Sequence, residues 1–236
     1  MCGRFSMFLP TKSIAEFFLT LNLQDVAPRY NIAPATGILA CLQAPNQPTK
    51  RVAMPLFWGL IPTWARDKSI GMKLINARSE TLAEKPSFRA AFRSRRCLIP
   101  ASGFFEWQAK GKRKQACYIT SAREQPLAFA GLWEHWSGPE GEEISSCTII
   151  TCVSNEVMAP IHDRMPVLLD SADFELWLDP QVQDTRRVAP LLRPCPVSWL
   201  RSWSVSDYVG NFRNQGPRCI EPFEAEPPEA LQMSLF

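Results

Sequence analysis

The sequence predicts an α+β fold: a single domain on a mostly antiparallel, barrel-like sheet with helices at its flanks. Three observations lead there. Strand-like runs crowd the middle of the 236-residue chain, and helical spacing recurs before, between and after them. No regular strand–helix alternation is present, which excludes a doubly wound parallel sheet. Proline is high at 21 residues and glycine low at 11, a balance that favours many short elements with rigid connections over long helices.

The elements follow in order. Ile14, Phe17, Phe18 and Leu21 sit at helical spacing, so residues 12–21 are expected to form a helix with Thr11 as its N-cap. A polar turn runs on through Pro28. Residues 37–42 and 52–59 read as strands, separated by the turn-rich PNQPTK. A helix is expected over 81–92, capped near Ser79 and interrupted at Pro86. Residues 97–100, 104–108, 117–121, 127–133 and 146–152 all read as strands. The charged, glycine-bearing segments KGKRKQ and SGPEGEE read as hairpin-like loops between them. Short helices are expected near 155–158 and over 172–178, and another over 182–192, cut by Pro190. From Gly216 onward the chain is rich in proline and glutamate and has no periodicity.

Composition excludes several classes. With 46% hydrophobic and 21% charged residues the chain is neither disordered, collagen-like nor a coiled coil. A chain of this length can bury roughly two-thirds of its unfolded surface and needs no staples. No run approaches the ~18 apolar residues of a membrane helix, and MCGRFSMFLP lacks the apolar stretch of a secretory signal. A cytoplasmic monomer with no membrane contact is the expectation, and the eight cysteines are expected to be free thiols. There is no C-x-x-C pair, only two histidines, and poor spacing between Cys147 and Cys152, so neither a metal nor a cofactor is expected. The net charge is +3, unevenly spread. Residues 216–236 hold four glutamates against Arg218, a net of −3, which leaves +6 on the rest. A mildly basic body favours an anionic partner, and ordinary surface charge is the alternative.

Cys2 is the most informative position. Initiator methionine is commonly removed when a small residue follows it. Processing would leave Cys2 with an α-amine and a thiol on adjacent carbons. The amine has a reference pKa of about 7.7–8.0 and can attack an aldehyde to form a Schiff base. The thiol can then close on the imine carbon, giving a thiazolidine. The bland alternative is an incidental cysteine. Glu106, set between aromatics in GFFEW, is a candidate for a raised pKa and acid/base work, with a strand-edge ion pair as its alternative. His162, in IHDRMP, lies in a polar, proline-stiffened loop of the kind that carries sites, while His135 in WEHW reads as structural. Asn76 and Arg78 share one face of an extended segment, where an amide beside a guanidinium suits a sugar or phosphate oxygen; a helix-entry turn is the alternative. Trp64 reads as a stacking platform for an unpaired base or as a packed anchor, and Trp58 as an anchor. Lys85, Arg89, Arg93, Arg95 and Arg96 form an acid-free basic run, with Arg89, Arg93 and Arg96 on one helical face if a helix continues through it. Phosphate contact or a solvated face would account for it.

Together these motifs resemble the SOS response-associated peptidase (SRAP) family, the abasic-site-sensing proteins. The matching pieces are MCGRF at 1–5, RYNIAP at 29–34, WG at 58–59, NARSET at 76–81, GFFEW at 103–107, IHDRMP at 161–166, and VGN at 209–211 with Asn214. Seven such pieces in family order are far more specific than any one. The resemblance implies a single SRAP domain over 1–215, followed by a flexible acidic tail over 216–236. It implies binding of single-stranded DNA and capture of abasic sites as a thiazolidine on Cys2. By motif, Asn76 would orient the cysteine or the opened sugar and Glu106 would act as acid/base. His162 would serve the sugar hydroxyl, and Arg4, Arg78 and Arg164 would hold phosphates. Trp64 is carried over least directly, because residues 61–70 follow the family pattern loosely. A thiol hydrolase built on Cys2, His162 and Asn76, and a non-catalytic single-stranded DNA binder, are the competing readings. The last five residues, QMSLF, resemble the short bacterial motif that docks in the replicative sliding clamp. Gln232 would bond at the pocket rim, and Leu235 and Phe236 would be buried.

Overall fold

A computed structural model describes residues 2–21, 23–44 and 47–223. In chain order the elements are β1 (Phe5–Met7), α1 (Thr11–Phe18), β2 (Thr20–Leu21), β3 (Arg29–Ile32), β4 (Gly37–Ala44), β5 (Gln47–Trp58), β6 (Asn76–Arg78), α2 (Arg89–Ser94), β7 (Arg96–Ala101), β8 (Gly103–Lys110), β9 (Arg113–Ser121), β10 (Leu127–Ser137), β11 (Glu143–Val153), β12 (Arg164–Pro166), α3 (Phe174–Leu178) and β13 (Leu200–Ser204). The expected α+β architecture is what they build.

Strands β11, β10, β7, β4 and β5 are antiparallel neighbours in that order. A short parallel pairing of Phe57 with Ser146 and Trp58 with Cys147 joins β5 back to β11 and closes a five-stranded barrel. Closure removes the free edges that an open sheet would leave. β6 adds to β11 in parallel and β12 adds to it antiparallel. A second sheet runs β13-β9-β8-β1-β3 and lies over the barrel. Alternation along β8 shows how it is held. Phe104 faces the barrel core and meets Phe129 with ring centroids 5.9 Å apart. Phe105 faces a smaller cluster with Tyr118, Val205 and Val209 on the other side. Phe5 anchors β1 by edge contacts to Trp58 (5.2 Å) and Phe129 (5.8 Å). Burial of one such ring is worth about 2–3 kcal/mol.

The helical expectations needed most correction. α1 stops at Phe18, because Leu19 turns into the left-handed region (φ 49°) and the next two residues pair with β5 as β2. Thr11 is not its N-cap: Pro10 occupies that position, and the Thr11 hydroxyl accepts the Val26 amide at 3.0 Å. The helix expected over 81–92 is a 3-10 turn at Ser79–Thr81, further turns, and then the short α2. The helix over 182–192 is two 3-10 turns, Thr185–Arg187 and Ala189–Leu191, and residues 155–158 form a turn. Within PNQPTK, residues 47–50 are strand, since β5 starts at Gln47.

The basic run also resolves differently. α2 ends at Ser94, so Arg96 leaves the expected face and is buried. Its guanidinium donates to the carbonyls of Phe92, Arg93, Trp177 and Asp179. Arg95 forms a two-pronged pair with buried Glu134, at 2.7 and 3.0 Å. Both are structural cations; Arg89 and Arg93 remain exposed. Residues 216–223, which the sequence reading sets outside the domain, pack onto it. Cys219 is fully buried, and the Trp203 indole donates to the Ile220 carbonyl at 2.8 Å. Among the described residues no helix is long and apolar enough to cross a membrane. All eight cysteines are free and buried.

Candidate active site

The antiparallel pairing of β1 with β8 brings the chain start to Glu106. Phe5 lies opposite Phe104 and Ser6 opposite Gly103, and the Phe105 amide donates to the Arg4 carbonyl at 2.9 Å. Extending that register sets Gly3 across from Glu106, with Cys2 one residue beyond. Gly103 is required for β8 to pack this closely on β9. A Cβ there would stand 2.4 Å from the Tyr118 ring and hydroxyl, and 2.6 Å from the Ile119 carbonyl. Cys2 and Glu106 are both buried. Burial pushes the Cys2 thiol far above its ordinary pKa, and the nearby Glu106 carboxylate pushes the same way. Burial, the largest cause, also raises Glu106.

The other half of the site hangs on β11. β6 sets Asn76 beside Ile149 and Arg78 beside Thr151. β12 sets Arg164 beside Val153, and His162 lies just before that strand. Asn76 Nδ2 donates to the Cys2 carbonyl at 2.8 Å. Asn76 Oδ1 is buried without a hydrogen-bond partner among the described residues. His162 Nδ1 accepts the Arg164 amide at 2.9 Å and lies 2.8 Å from an Asp163 carboxylate oxygen. Accepting that amide requires the proton on Nε2, whereas donating to Asp163 requires it on Nδ1, so a proton shift exchanges one bond for the other. The arrangement thus holds a neutral thiol, a carboxyl biased toward its acid form and an imidazole with two alternative proton positions. Such a set suits stepwise proton transfer at a carbonyl carbon better than attack by a preformed thiolate.

The SOS response associated peptidase (SRAP) family pattern matches residues 1–212. The chain belongs to the SRAP family. It is 42% identical over 225 residues to the abasic site processing protein YoqW of Bacillus subtilis, covering 94% of this chain and 99% of that protein. It is 31% identical over 234 residues to the chicken (Gallus gallus) abasic site processing protein HMCES, covering 87% and 69%. A crystal structure of a protein from Bacteroides thetaiotaomicron superposes with a TM-score of 0.83 at 25% identity, covering 94% of this chain and 100% of that one.

Within this SRAP domain, Cys2, Asn76, Glu106 and His162 come together. The cations expected at phosphates are placed differently from one another. Arg78 is exposed. Arg164 is held by Glu80 at 2.6 and 3.0 Å and donates to the Thr151 carbonyl at 2.6 Å. Arg4 donates to Asn31 Oδ1 at 2.7 Å and the Val209 carbonyl at 3.0 Å, and lies over the Trp107 ring at 5.8 Å. Trp64 is 55% exposed and lines a separate shallow cleft with Arg66, Asp67 and Lys73. His135 lies on the surface of β10 against Ser145 and Glu143. Gln232, Leu235 and Phe236 lie outside the described residues. Among the described residues no group of three metal-ligating side chains is assembled.

Sequence reasoning quoted Glu80 and Asn31 within motifs and gave them no role. Glu80 holds Arg164. Asn31 ties Arg4 to residues 209–214, its amide donating to the carbonyls of Val209, Asn211 and Asn214. The only available signal was their presence in the same short motifs as the reactive residues.

Proposed function

We propose that this chain senses abasic sites in single-stranded DNA and joins them covalently to Cys2. The supporting observation is the position of Cys2: bound through its carbonyl by Asn76 and electrically coupled to the buried Glu106. The relatives named as abasic site processing proteins support the substrate class.

With Met1 removed, the Cys2 amine attacks the C1 aldehyde of the ring-opened sugar and forms a carbinolamine. Loss of water gives the imine. The thiol then adds across C=N: a C–S bond forms, the sulfur proton ends on nitrogen, and the product is a thiazolidine. Overall one water leaves. Glu106, whose pKa is raised by burial, donates to the departing hydroxyl, takes up the proton that nitrogen releases as the imine forms, and relays the sulfur proton to nitrogen as the ring closes. His162 handles the proton of the sugar ring oxygen during opening. Asn76 fixes the Cys2 backbone so that amine and sulfur reach the same carbon. Arg4, Arg78 and Arg164 contribute positive charge beside the lesion, and Trp64 offers a stacking face to a neighbouring base. Gln232, Leu235 and Phe236 would dock in the replicative sliding clamp, a reading tested by titrating the tail peptide and its Leu235→Ala, Phe236→Ala version against the clamp.

The thiol-hydrolase reading has weaker support, because Asn76 bonds the Cys2 backbone and burial keeps the sulfur protonated.

Intact-mass spectrometry after incubation with abasic single-stranded DNA tests the proposal. The expected adduct equals both partners less one water. Cys2→Ser should leave only an imine that borohydride traps. Undiminished, heat-stable adduct from protein with a blocked α-amine would overturn the mechanism.

A further inference from the structure

We infer that the acidic segment following Phe223 docks in a basic cleft at the far end of β8, where it competes with nucleic-acid phosphates. A cleft of about 770 Å³ opens between the β8–β9 hairpin and the end of the described chain. Its walls carry Lys110, Arg113 and Lys114 against the single carboxylate of Asp207, with Phe223 at the rim. None of the three cations makes an ion pair among the described residues. Three unneutralised cations around one concavity form a site for an extended polyanion.

The occupant is identified by where the chain goes next. The Phe223 amide donates to the Ser204 carbonyl at 2.9 Å, which pins the chain at the cleft. The following residues are Glu224, Ala225, Glu226, Pro227, Pro228 and Glu229. At no more than about 3.6 Å per residue, Glu224 and Glu226 stay within about 11 Å of Phe223 and Glu229 within about 22 Å. The two prolines favour an extended run and lower the ordering cost. A tether this short gives an effective concentration in the millimolar range or above, which no free anion matches in dilute solution.

Position makes the contact consequential. β8 carries Glu106 at its middle and Lys110 at its end, four residues or about 13 Å apart. A DNA strand leaving the candidate site along β8 would meet the same cations. The competition rests on the proposed function; the docking does not.

The test compares amide NMR spectra of the full chain with those of a chain ending at Phe223. Removing residues 224–236 should shift the amides of 110–115 and 206–207, and the triple substitution Glu224→Gln, Glu226→Gln, Glu229→Gln should produce the same shifts. Hairpin amides that respond to neither change would overturn the docking. A second arm measures affinity for intact single-stranded DNA. Tail removal should tighten binding about three- to tenfold near 50 mM salt and less than about twofold near 0.5 M. Equal affinity at low salt, with the amide shifts present, would remove the competition and keep the docking. If the tail leaves the hairpin unmoved, and Lys110→Ala with Lys114→Ala weakens DNA binding equally in both chain lengths, the cleft is a nucleic-acid surface and the proposal is wrong. Loss of abasic-site crosslinking with the shifts intact would remove the proposed function alone.

Discussion

Asn76 donates its amide to the carbonyl of Cys2 at 2.8 Å, while its own carbonyl oxygen is buried with no partner among the described residues. An oxygen left in that state costs about 1–3 kcal/mol unless a substrate group satisfies it. The open-chain sugar has hydroxyls to offer. Asn76→Ala should therefore slow adduct formation about ten- to a hundredfold while changing affinity for intact DNA less than about twofold. Single-turnover kinetics beside a binding titration separates the two. An equal loss in both would make Asn76 a binding residue only.

Glu106→Gln separates function from stability. The folded-state pKa of Glu106 is raised, chiefly by burial, so its protonated form favours the fold. Its stabilising contribution is complete below the unfolded carboxyl pKa and is lost as pH rises through the folded one. Gln keeps the shape and never ionises. The variant should melt about 2–4 °C higher than the parent near pH 8 and match it near pH 4, while crosslinking at least about tenfold more slowly. Melting curves at the two pH values, with a crosslinking time course, test this.

Arg164 and Arg78 should behave oppositely. Arg164 donates to both Glu80 carboxylate oxygens, and this holds the Glu80 pKa below its ordinary value. That stabilisation is present above the unfolded carboxyl pKa and fades as pH falls through the depressed one, so Arg164→Ala should destabilise near neutrality and less so below about pH 4. Glu80→Gln releases the guanidinium and should tighten binding of intact single-stranded DNA about two- to fivefold, with a steeper salt dependence. Arg78 is exposed and makes no ion pair among the described residues, so Arg78→Ala should weaken binding and lower the salt slope by about one. Titrations over a salt series decide between them.

Gly103→Ala should be among the most damaging single methyl additions. Its Cβ would press on the ring of the fully buried Tyr118 and on the Ile119 backbone, neither of which can yield. The expected cost is about 3 kcal/mol, seen as a lower urea midpoint with an unchanged slope. The surviving folded fraction should crosslink slowly, because β8 carries Glu106.

The barrel strands were legible because β7, β10 and β11 are buried over most of their length and carry apolar stretches such as LAFAGLW in β10. Of the short strands at the site, only the extended segment that sets Asn76 and Arg78 on one face was legible. β1, β6 and β12 have three residues each, too few to show a period, and they are extended only because β8 and β11 pair with them. The reactive side chains could be named from motif chemistry, but their partners could not. Glu80 reaches Arg164 across 84 positions, and two of the four carbonyls that capture Arg96 arrive from α3 and its end. Local spacing carries no record of either contact.

The bond from Arg4 to the Val209 carbonyl joins residues 205 positions apart. On a ribosome adding about 5–20 residues per second, the second partner is made roughly 10–40 s after the first. Throughout that interval Arg4 lacks the carbonyl that completes its hydrogen bonds, although β1 can pair with β3 and β8 as soon as those strands are made. Two partners of Cys2, Asn76 and Glu106, are made by about the middle of the chain, so an enzyme acting on the nascent chain start would have roughly half of that interval before β8 exists to cover it. Order of synthesis thus sets the order of maturation: the start of the chain can be processed first and enclosed afterwards.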